Sequence, residues 1–292
     1  MLYPTDGYGD IEFIRTLVKR ENPDAIFMIT DPRYYEWLFQ NEMEFRRKMP
    51  VIYLNIWDDV PAPVYNKEFY ESCDALLGIS KQTVNINKMV LGSKAEGKVI
   101  EYVPHGLNNN IFKPLDESNK EFKIFKDKLF NGKKYDFVLL FNSRNIRRKS
   151  IPDALLAWKV FTDQLPPEKA KKTAFILKTE PVEGHGTDLP AVIEYFFTDS
   201  NTNVFVLGER LSSIEMSYLY NCADGTILLS SNEGWGLALT ESLLTATPFI
   251  ANVTGGMQDQ MRFIDSKGNW FTPDSDVPSN HRGTYKEHGK WA

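Results

Sequence analysis

Short apolar runs, polar loops and amphipathic stretches follow one another along most of this chain. Nine runs have the length and near-continuous apolar character of strands buried on both faces of a parallel sheet: 24–29, 51–56, 74–80, 98–103, 136–143, 173–178, 203–208, 225–230 and 248–253. Between them lie stretches with helical spacing, such as IEFIRTLVKR, SIPDALLAWKVFTDQL, LSSIEMSYLYNCA and GLALTESLLTA. In the second of these, Ser150 and Pro152 have the residue types of a helix start. Strands alternating with helices predict an α/β fold with parallel sheets.

The rhythm is weakest over 107–135, where NNNIFKP and DESNKEFKIFKDKLFNGKK are polar, charged and without a strand. A domain boundary is expected there, giving an N-terminal domain over 1–115 and a C-terminal domain over 116–292. In open α/β sheets ligands gather at the carboxyl ends of strands, so the loops after the runs are the places to look for chemistry.

Length and composition narrow the function classes. The 292 residues suffice for two cores, and the 42% apolar and 25% charged fractions are ordinary for a globular protein. No apolar run approaches the roughly 20 residues that span a bilayer. The opening MLYPTDGYGD lacks the basic start and apolar stretch of a secretion signal. A cytoplasmic protein is expected. With 34 Lys and Arg against 39 Asp and Glu, the net charge of −5 speaks against nucleic acid as partner, which needs a basic surface. Cys73 and Cys222 show no paired-thiol or zinc spacing and read as buried apolar residues.

Two segments carry candidate chemistry. In TILLSSNEGWGLALTESLL, 226–244, a strand runs into a loop with Glu233, Gly234, Trp235 and Gly236, and the helix that follows carries Glu241. Glycines at such a turn let backbone N–H groups approach an anion, and a helix N-terminus adds about half a positive charge. A carboxylate there suits sugar hydroxyls rather than phosphate. On spacing alone Glu233 also fits a helix-start acid and Glu241 a solvated helix residue. A dinucleotide-binding turn fits poorly: the third glycine position is Leu239, and the next strand ends in Asn252 rather than an acid. In LLFNSRNIRRKSIPDALLAW, 139–158, a strand leads to Arg144, Arg147, Arg148 and Lys149. Four cations after a strand make a clamp for a diphosphate, although a solvated basic loop has the same composition.

Taken together, these segments resemble retaining glycosyltransferases of the GT-B fold, of the family-4 type with two glutamates eight positions apart. The resemblance rests on Glu233 and Glu241 around Gly-Trp-Gly, and on Arg144 and Lys149 after an earlier strand. It extends to VPHGLNNNIFKP at 103–114, VFVLGERLSSIEMSYLYNCAD at 204–224 and TGGMQDQM at 254–261, covering roughly 100–265. It implies two Rossmann-like domains and transfer of a sugar from a nucleotide-sugar to an acceptor, a glycan, lipid or protein, with retention. It further implies that Arg144 and Lys149 hold the diphosphate and stabilise its developing charge. Glu233 would bind hydroxyls of the donor sugar. The N–H groups of Gly236, Leu237 and Ala238, beside Gly234 and Trp235, would lie near the phosphate. Glu241 would bind the ribose, and Gly208 and Glu209 the base side of the donor. No metal or other cofactor is expected, because the cations and the helix end take the metal's place.

Some positions depart from that pattern. The family's histidine near the acceptor has no counterpart in NIWDDVPAP, where Asp58 is the substitute candidate; His105 in the Pro-His-Gly turn is the other. The family's lysine is usually followed by glycine, and this chain has Ser150. Asp274-Ser275-Asp276 has the Asp-x-Asp form that binds manganese in the other major glycosyltransferase fold, but it lies in a Pro/Ser-rich tail. His185, His281 and His288 lack ligand spacing. A nucleotide-sugar-binding protein without turnover and a GT-B-fold sugar epimerase are the alternatives. The chain opens in a loop with four strands before residue 104, and no long helix follows TGGMQDQM. It is therefore expected to be a fragment, with its N-terminal domain incomplete.

Overall fold

The computed structural model describes residues 1–116, 118–265 and 267–275. The chain divides into two compact units. The first comprises Met1–His105, Asn232–Trp235 and the described residues from Thr254 on; the second comprises Gly106–Ser231 and Gly236–Val253.

In the first unit the elements run α1 (Ile11–Glu21), β1 (Ile26–Ile29), α2 (Glu36–Phe39), α3 (Glu42–Arg46), β2 (Val51–Asn55), α4 (Lys67–Ser72), β3 (Ala75–Gly78), α5 (Lys81–Leu91) and β4 (Val99–Tyr102). The four strands form one parallel sheet in the order β1-β2-β3-β4, with Ile26 beside Val51, Ile52 beside Ala75 and Ala75 beside Val99. Helix ends follow local chemistry. Asp10 accepts from Phe13 N at 2.8 Å to start α1, and Asn22 ends it in the left-handed region, tolerable for a residue whose short amide bonds locally. Ser80 Oγ accepts from Thr83 N at 3.0 Å to start α5. The core joins Met28, Val51, Tyr53 and Leu76 of the sheet to Ile86, Val90 and Leu91 of α5.

The second unit contains α6 (Lys120–Phe130), β5 (Phe137–Asn142), α7 (Ile151–Asp163), α8 (Pro167–Ala170), β6 (Thr173–Lys178), α9 (Leu189–Phe197), β7 (Asn203–Val206), α10 (Ser213–Cys222), β8 (Gly225–Leu228), α11 (Leu237–Leu244) and β9 (Phe249–Ala251). Its five parallel strands lie in the order β7-β6-β5-β8-β9. The central β5 and β6 are buried on both faces, by α7 and α9 residues such as Leu155, Trp158 and Leu189 on one and by Phe122, Leu219 and Tyr220 on the other. This explains why they read as unbroken apolar runs. A capping box between Ser212 and Glu215 starts α10. The last helix, α12 (Gly256–Gln260), belongs to the first unit.

All nine strand readings correspond to strands, and three features differ from expectation. The second unit begins at Gly106, ten residues before the expected boundary. The reason is a dock on α10: Ser217 Oγ donates to Ile111 O at 2.8 Å, Asn221 Oδ1 accepts from Leu115 N at 2.7 Å, and Phe112 is buried beside Phe122 and Val138. The charged stretch expected to hold the boundary contains α6, which buries Phe122 and Phe130 while most of its lysines stay exposed. Ser150, expected to cap α7, makes no capping bond and sits at φ 51°, in the left-handed region. Among the described residues, no helix is long and apolar enough to cross a membrane.

Candidate functional site

Sequence singles out the loops at the carboxyl ends of β5 and β8, which are neighbouring strands in the second unit. Ser231 N donates to Arg148 O at 2.9 Å, tying the two loops together. After β5 the chain makes a short 3-10 turn over Arg147–Lys149 before α7. Lys149 is 9% exposed, so its ammonium is held inside the fold rather than trailing in water. Arg144 is the opposite, with a side chain 66% exposed.

Arg144 nevertheless has a defined place. Its Nε donates to Glu183 Oε2 at 3.0 Å and its Nη2 to Glu183 Oε1 at 3.1 Å, a bidentate pair along one edge of the guanidinium. This pair holds the Glu183 carboxyl below its ordinary value. Glu183 comes from the loop between β6 and α9, and that loop is fastened to the β5 loop by Asn145. Asn145 is 1% exposed. Its Nδ2 donates to Glu180 O at 3.1 Å and Thr187 O at 2.7 Å, and its Oδ1 accepts from Thr187 N at 3.1 Å. Arg147 N donates to His185 O at 3.1 Å. Gly186 lies so close that a Cβ would overlap the Asn145 carbonyl. Gly208 abuts the same loop, its Cβ position 3.2 Å from Pro181 Cδ, whereas Glu209 is exposed.

Glu241 lies on α11, which opens at Gly236 in the left-handed region, φ 83°, with Leu237 and Ala238 as its first residues. The bland reading of a solvated helix acid does not hold. Asn142 Nδ2, at the end of β5, donates to Glu241 Oε2 at 3.2 Å and to the Tyr220 hydroxyl at 2.9 Å. The fully buried Tyr220 hydroxyl also acts to lower the Glu241 pKa. Burial raises the Glu241 carboxyl pKa, and these two groups oppose the rise.

Glu233 is built differently. It is 9% exposed and belongs to the first unit with Gly234 and Trp235, outside α11, so it is not a helix-start acid. Its carbonyl accepts from Gly256 N at 3.1 Å. A Cβ on Gly234 would lie 2.8 Å from Ile56 O, and one on Gly255 or Gly256 would overlap the Glu233 or Gly234 carbonyl. Gln260 Nε2 donates to Trp235 O at 2.5 Å. The Gly-Gly turn and α12 thus clamp this loop. Behind it, Asp259 Oδ2 accepts from Lys81 N at 2.9 Å at the start of α5, and burial pushes its pKa up to about 6.

Asp58 is half-buried in a loop where Trp57 Nε1 donates to Asp59 O at 2.7 Å, and His105 is exposed. Asp274 pairs with Lys88, and Asp276, His281 and His288 lie outside the described residues. Among the described residues, no three His, Cys, Asp or Glu side chains gather as metal ligands would. Sequence reading missed Asn142, Asn145, Glu183, Tyr220 and the role of Asp259. Asn142 and Asn145 flank Arg144 in the segment already singled out, whereas Glu183 and Tyr220 reach their partners across 39 and 78 positions.

The sequence matches no protein-family model and no curated protein. Similar solved structures do exist. The N-terminal domain of trehalose-6-phosphate phosphatase from Candida albicans gives a TM-score of 0.68 at 15% identity, over 94% of this chain and 67% of that one. Sucrose-phosphate synthase from Thermosynechococcus elongatus gives 0.64 at 16% identity, over 86% and 61%. The E. coli trehalose-6-phosphate structure bound with UDP-2-fluoro glucose gives 0.62 at 13% identity, over 85% and 63%. The chain spans 61–67% of the length of these solved chains. With its two parallel-sheet α/β units and this likeness, the chain has the GT-B fold that its sequence implied.

Proposed function

We propose that this chain is the donor-binding core of a glycosyltransferase of the family-4 type, moving a sugar from a nucleoside-diphosphate sugar to an acceptor hydroxyl with retention. The observation that supports this best is the pairing of two loops at the ends of β5 and β8. One carries Arg144 and a largely buried Lys149, and the other leads into α11, where Glu241 is held by Asn142, which also donates to Tyr220.

In this reading Arg144 and Lys149 take the diphosphate and stabilise the charge that grows on it as the glycosidic bond breaks. The first N–H groups of α11, at Leu237 and Ala238 after Gly236, add a helix-end contribution of about half a charge. Glu241 accepts from the ribose hydroxyls. Glu233, held by the Gly-Gly turn, accepts from hydroxyls of the transferred sugar. Gly208 and Glu209 line the side of the base. The leaving diphosphate takes the acceptor proton on the same face of the sugar, which gives retention. Because the fixed cations neutralise the leaving group, the reaction needs no divalent metal.

A thermal-shift panel of UDP, GDP, ADP and their hexose conjugates tests the donor class, with UDP-glucose first because the E. coli neighbour holds a UDP-sugar analogue. Donor hydrolysis and transfer to glycan, lipid and protein acceptors follow, with and without EDTA. Stabilisation by one nucleotide-sugar with metal-independent turnover supports the reading. Binding without turnover points instead to a nucleotide-sugar-binding protein, and no binding at all overturns it.

A further inference from the structure

Glu183 has no place in the chemistry above, yet the fold invests heavily in where it sits. The β6–α9 loop is pinned at both shoulders by one buried side chain, Asn145, which takes Glu180 O and Thr187 O and gives its own Oδ1 to Thr187 N. Gly186 lets the loop lie directly on the Asn145 backbone. The result is a fixed carboxylate, 18% exposed, facing a mostly exposed arginine.

The pair occupies only one side of that arginine. A guanidinium carries five N–H donors in a planar fork. Glu183 takes the Nε and one Nη2 hydrogen at 3.0 and 3.1 Å, which leaves both Nη1 hydrogens and the outer Nη2 hydrogen along the far edge. That far edge is the end-on fork suited to two phosphate oxygens. A long side chain loses rotamer freedom when it is fixed, and here part of that ordering is complete before any anion arrives.

We propose that Glu183 is a positioning residue: latched by Asn145, it orients Arg144 so that the outer edge of the guanidinium is presented to the diphosphate. The proposal rests on the reading of Arg144 as a diphosphate ligand. It differs from a role as a mere competing charge, in which Glu183 would hold Arg144 away from the anion.

Inorganic pyrophosphate, titrated calorimetrically into the whole chain, is the probe, since it needs no knowledge of base or sugar. Two variants separate the possibilities. Glu183→Gln removes the charge but keeps the length, and Glu183→Asp keeps the charge but withdraws it by one methylene. Positioning predicts that both weaken pyrophosphate binding, by about tenfold for a lost charged hydrogen-bond pair. It also predicts that neither has a further effect when Arg144→Ala is already present. Tighter binding by Glu183→Gln with Glu183→Asp unchanged would show a competing charge and overturn the proposal. Weakening that persists beside Arg144→Ala would show a general effect on the loop, and overturn it too. If Arg144→Ala alone leaves pyrophosphate affinity unchanged, the diphosphate role of Arg144 itself fails, which is a separate result.

Discussion

The backbone carbonyl of Glu233 occupies the space that a side chain at Gly255 would need, and Gly255 itself sits at φ 52°. Both facts act on Gly255→Ala: the methyl meets a backbone oxygen, and the left-handed conformation is strained for alanine. We expect a loss of about 2–5 kcal/mol in denaturant unfolding, the sum of overpacking and strain. Gly268 is the control. It lies at φ 85° with open space around its Cβ position, so Gly268→Ala should cost only about 1 kcal/mol. Equal losses at the two sites would show that the contact with Glu233 carries no weight.

Lys149 and Glu233 are assigned different parts of the donor, and bare nucleoside diphosphate tells them apart. Lys149→Ala should weaken binding of the diphosphate by about 1.5–3 kcal/mol, the range for a charge-assisted hydrogen bond. Glu233→Gln should leave that affinity nearly unchanged and lower turnover of the nucleotide-sugar, because its partner is the sugar. Calorimetry with the diphosphate and a transfer assay with the donor check both halves. Equal losses of diphosphate affinity in the two variants would contradict the assignment.

Strand positions were legible because β5 and β6 are buried on both faces, so their runs are apolar without interruption. Helix α6 was not, because only Phe122 and Phe130 are buried in a segment dense with lysine and glutamate. Its charge pattern is that of a solvated linker. The loops carrying Arg144, Lys149, Glu233 and Glu241 could be read from residue types at strand ends. What holds those residues could not. Tyr220 reaches Asn142 and Glu241 only because α10 packs against β5, and Glu183 reaches Arg144 only through the Asn145 latch. Such partners are set by tertiary packing and leave no local spacing to find. Ser150 misled for a related reason: serine is a good cap by type, but here the backbone enters α7 from the left-handed region.

Tyr220→Phe isolates the support of Glu241. The hydroxyl is fully buried and accepts from Asn142, so its removal should cost about 1–2 kcal/mol of stability. It also removes a group that opposes the rise in the Glu241 pKa, so that pKa should climb further. If Glu241 binds the ribose, nucleoside diphosphate affinity should fall while inorganic pyrophosphate affinity stays the same. A parallel fall in both would place the effect on the fold rather than on the ribose contact.

Ser150 follows Lys149 at φ 51° and ψ 43°, where an L side chain is strained and its own hydroxyl makes no cap bond. Ser150→Gly should relieve about 1 kcal/mol of left-handed strain, partly offset by the greater freedom of glycine in the unfolded chain. The expected net result is a gain below about 1 kcal/mol, or a Tm rise of about 1–3 °C for a unit of this size. Diphosphate affinity should be unchanged, since the Lys149 backbone keeps its conformation. A fall in Tm would mean that the serine hydroxyl contributes something the geometry does not reveal.

Asp259 makes stability depend on pH in a direction opposite to that of most carboxylates. Burial raises its pKa to about 6, against 3.8 for the free side chain. Between those values the folded chain binds a proton that the unfolded chain has released, so stability from this group falls as pH rises through the window. It is fully present below pH 3.8 and lost above about pH 6. The difference between 3.8 and about 6 corresponds to about 3 kcal/mol. Asp259→Asn cannot ionise, and its side-chain oxygen can still accept from Lys81 N. The variant should therefore melt several degrees above the parent chain at pH 7.5, with the difference shrinking as pH falls and vanishing near pH 4. Parallel melting curves of the two proteins across that range check it. A Tm difference that stays constant with pH would show that Asp259 is ionised throughout, and that Lys81 N and Tyr102 stabilise its charge more than burial disfavours it.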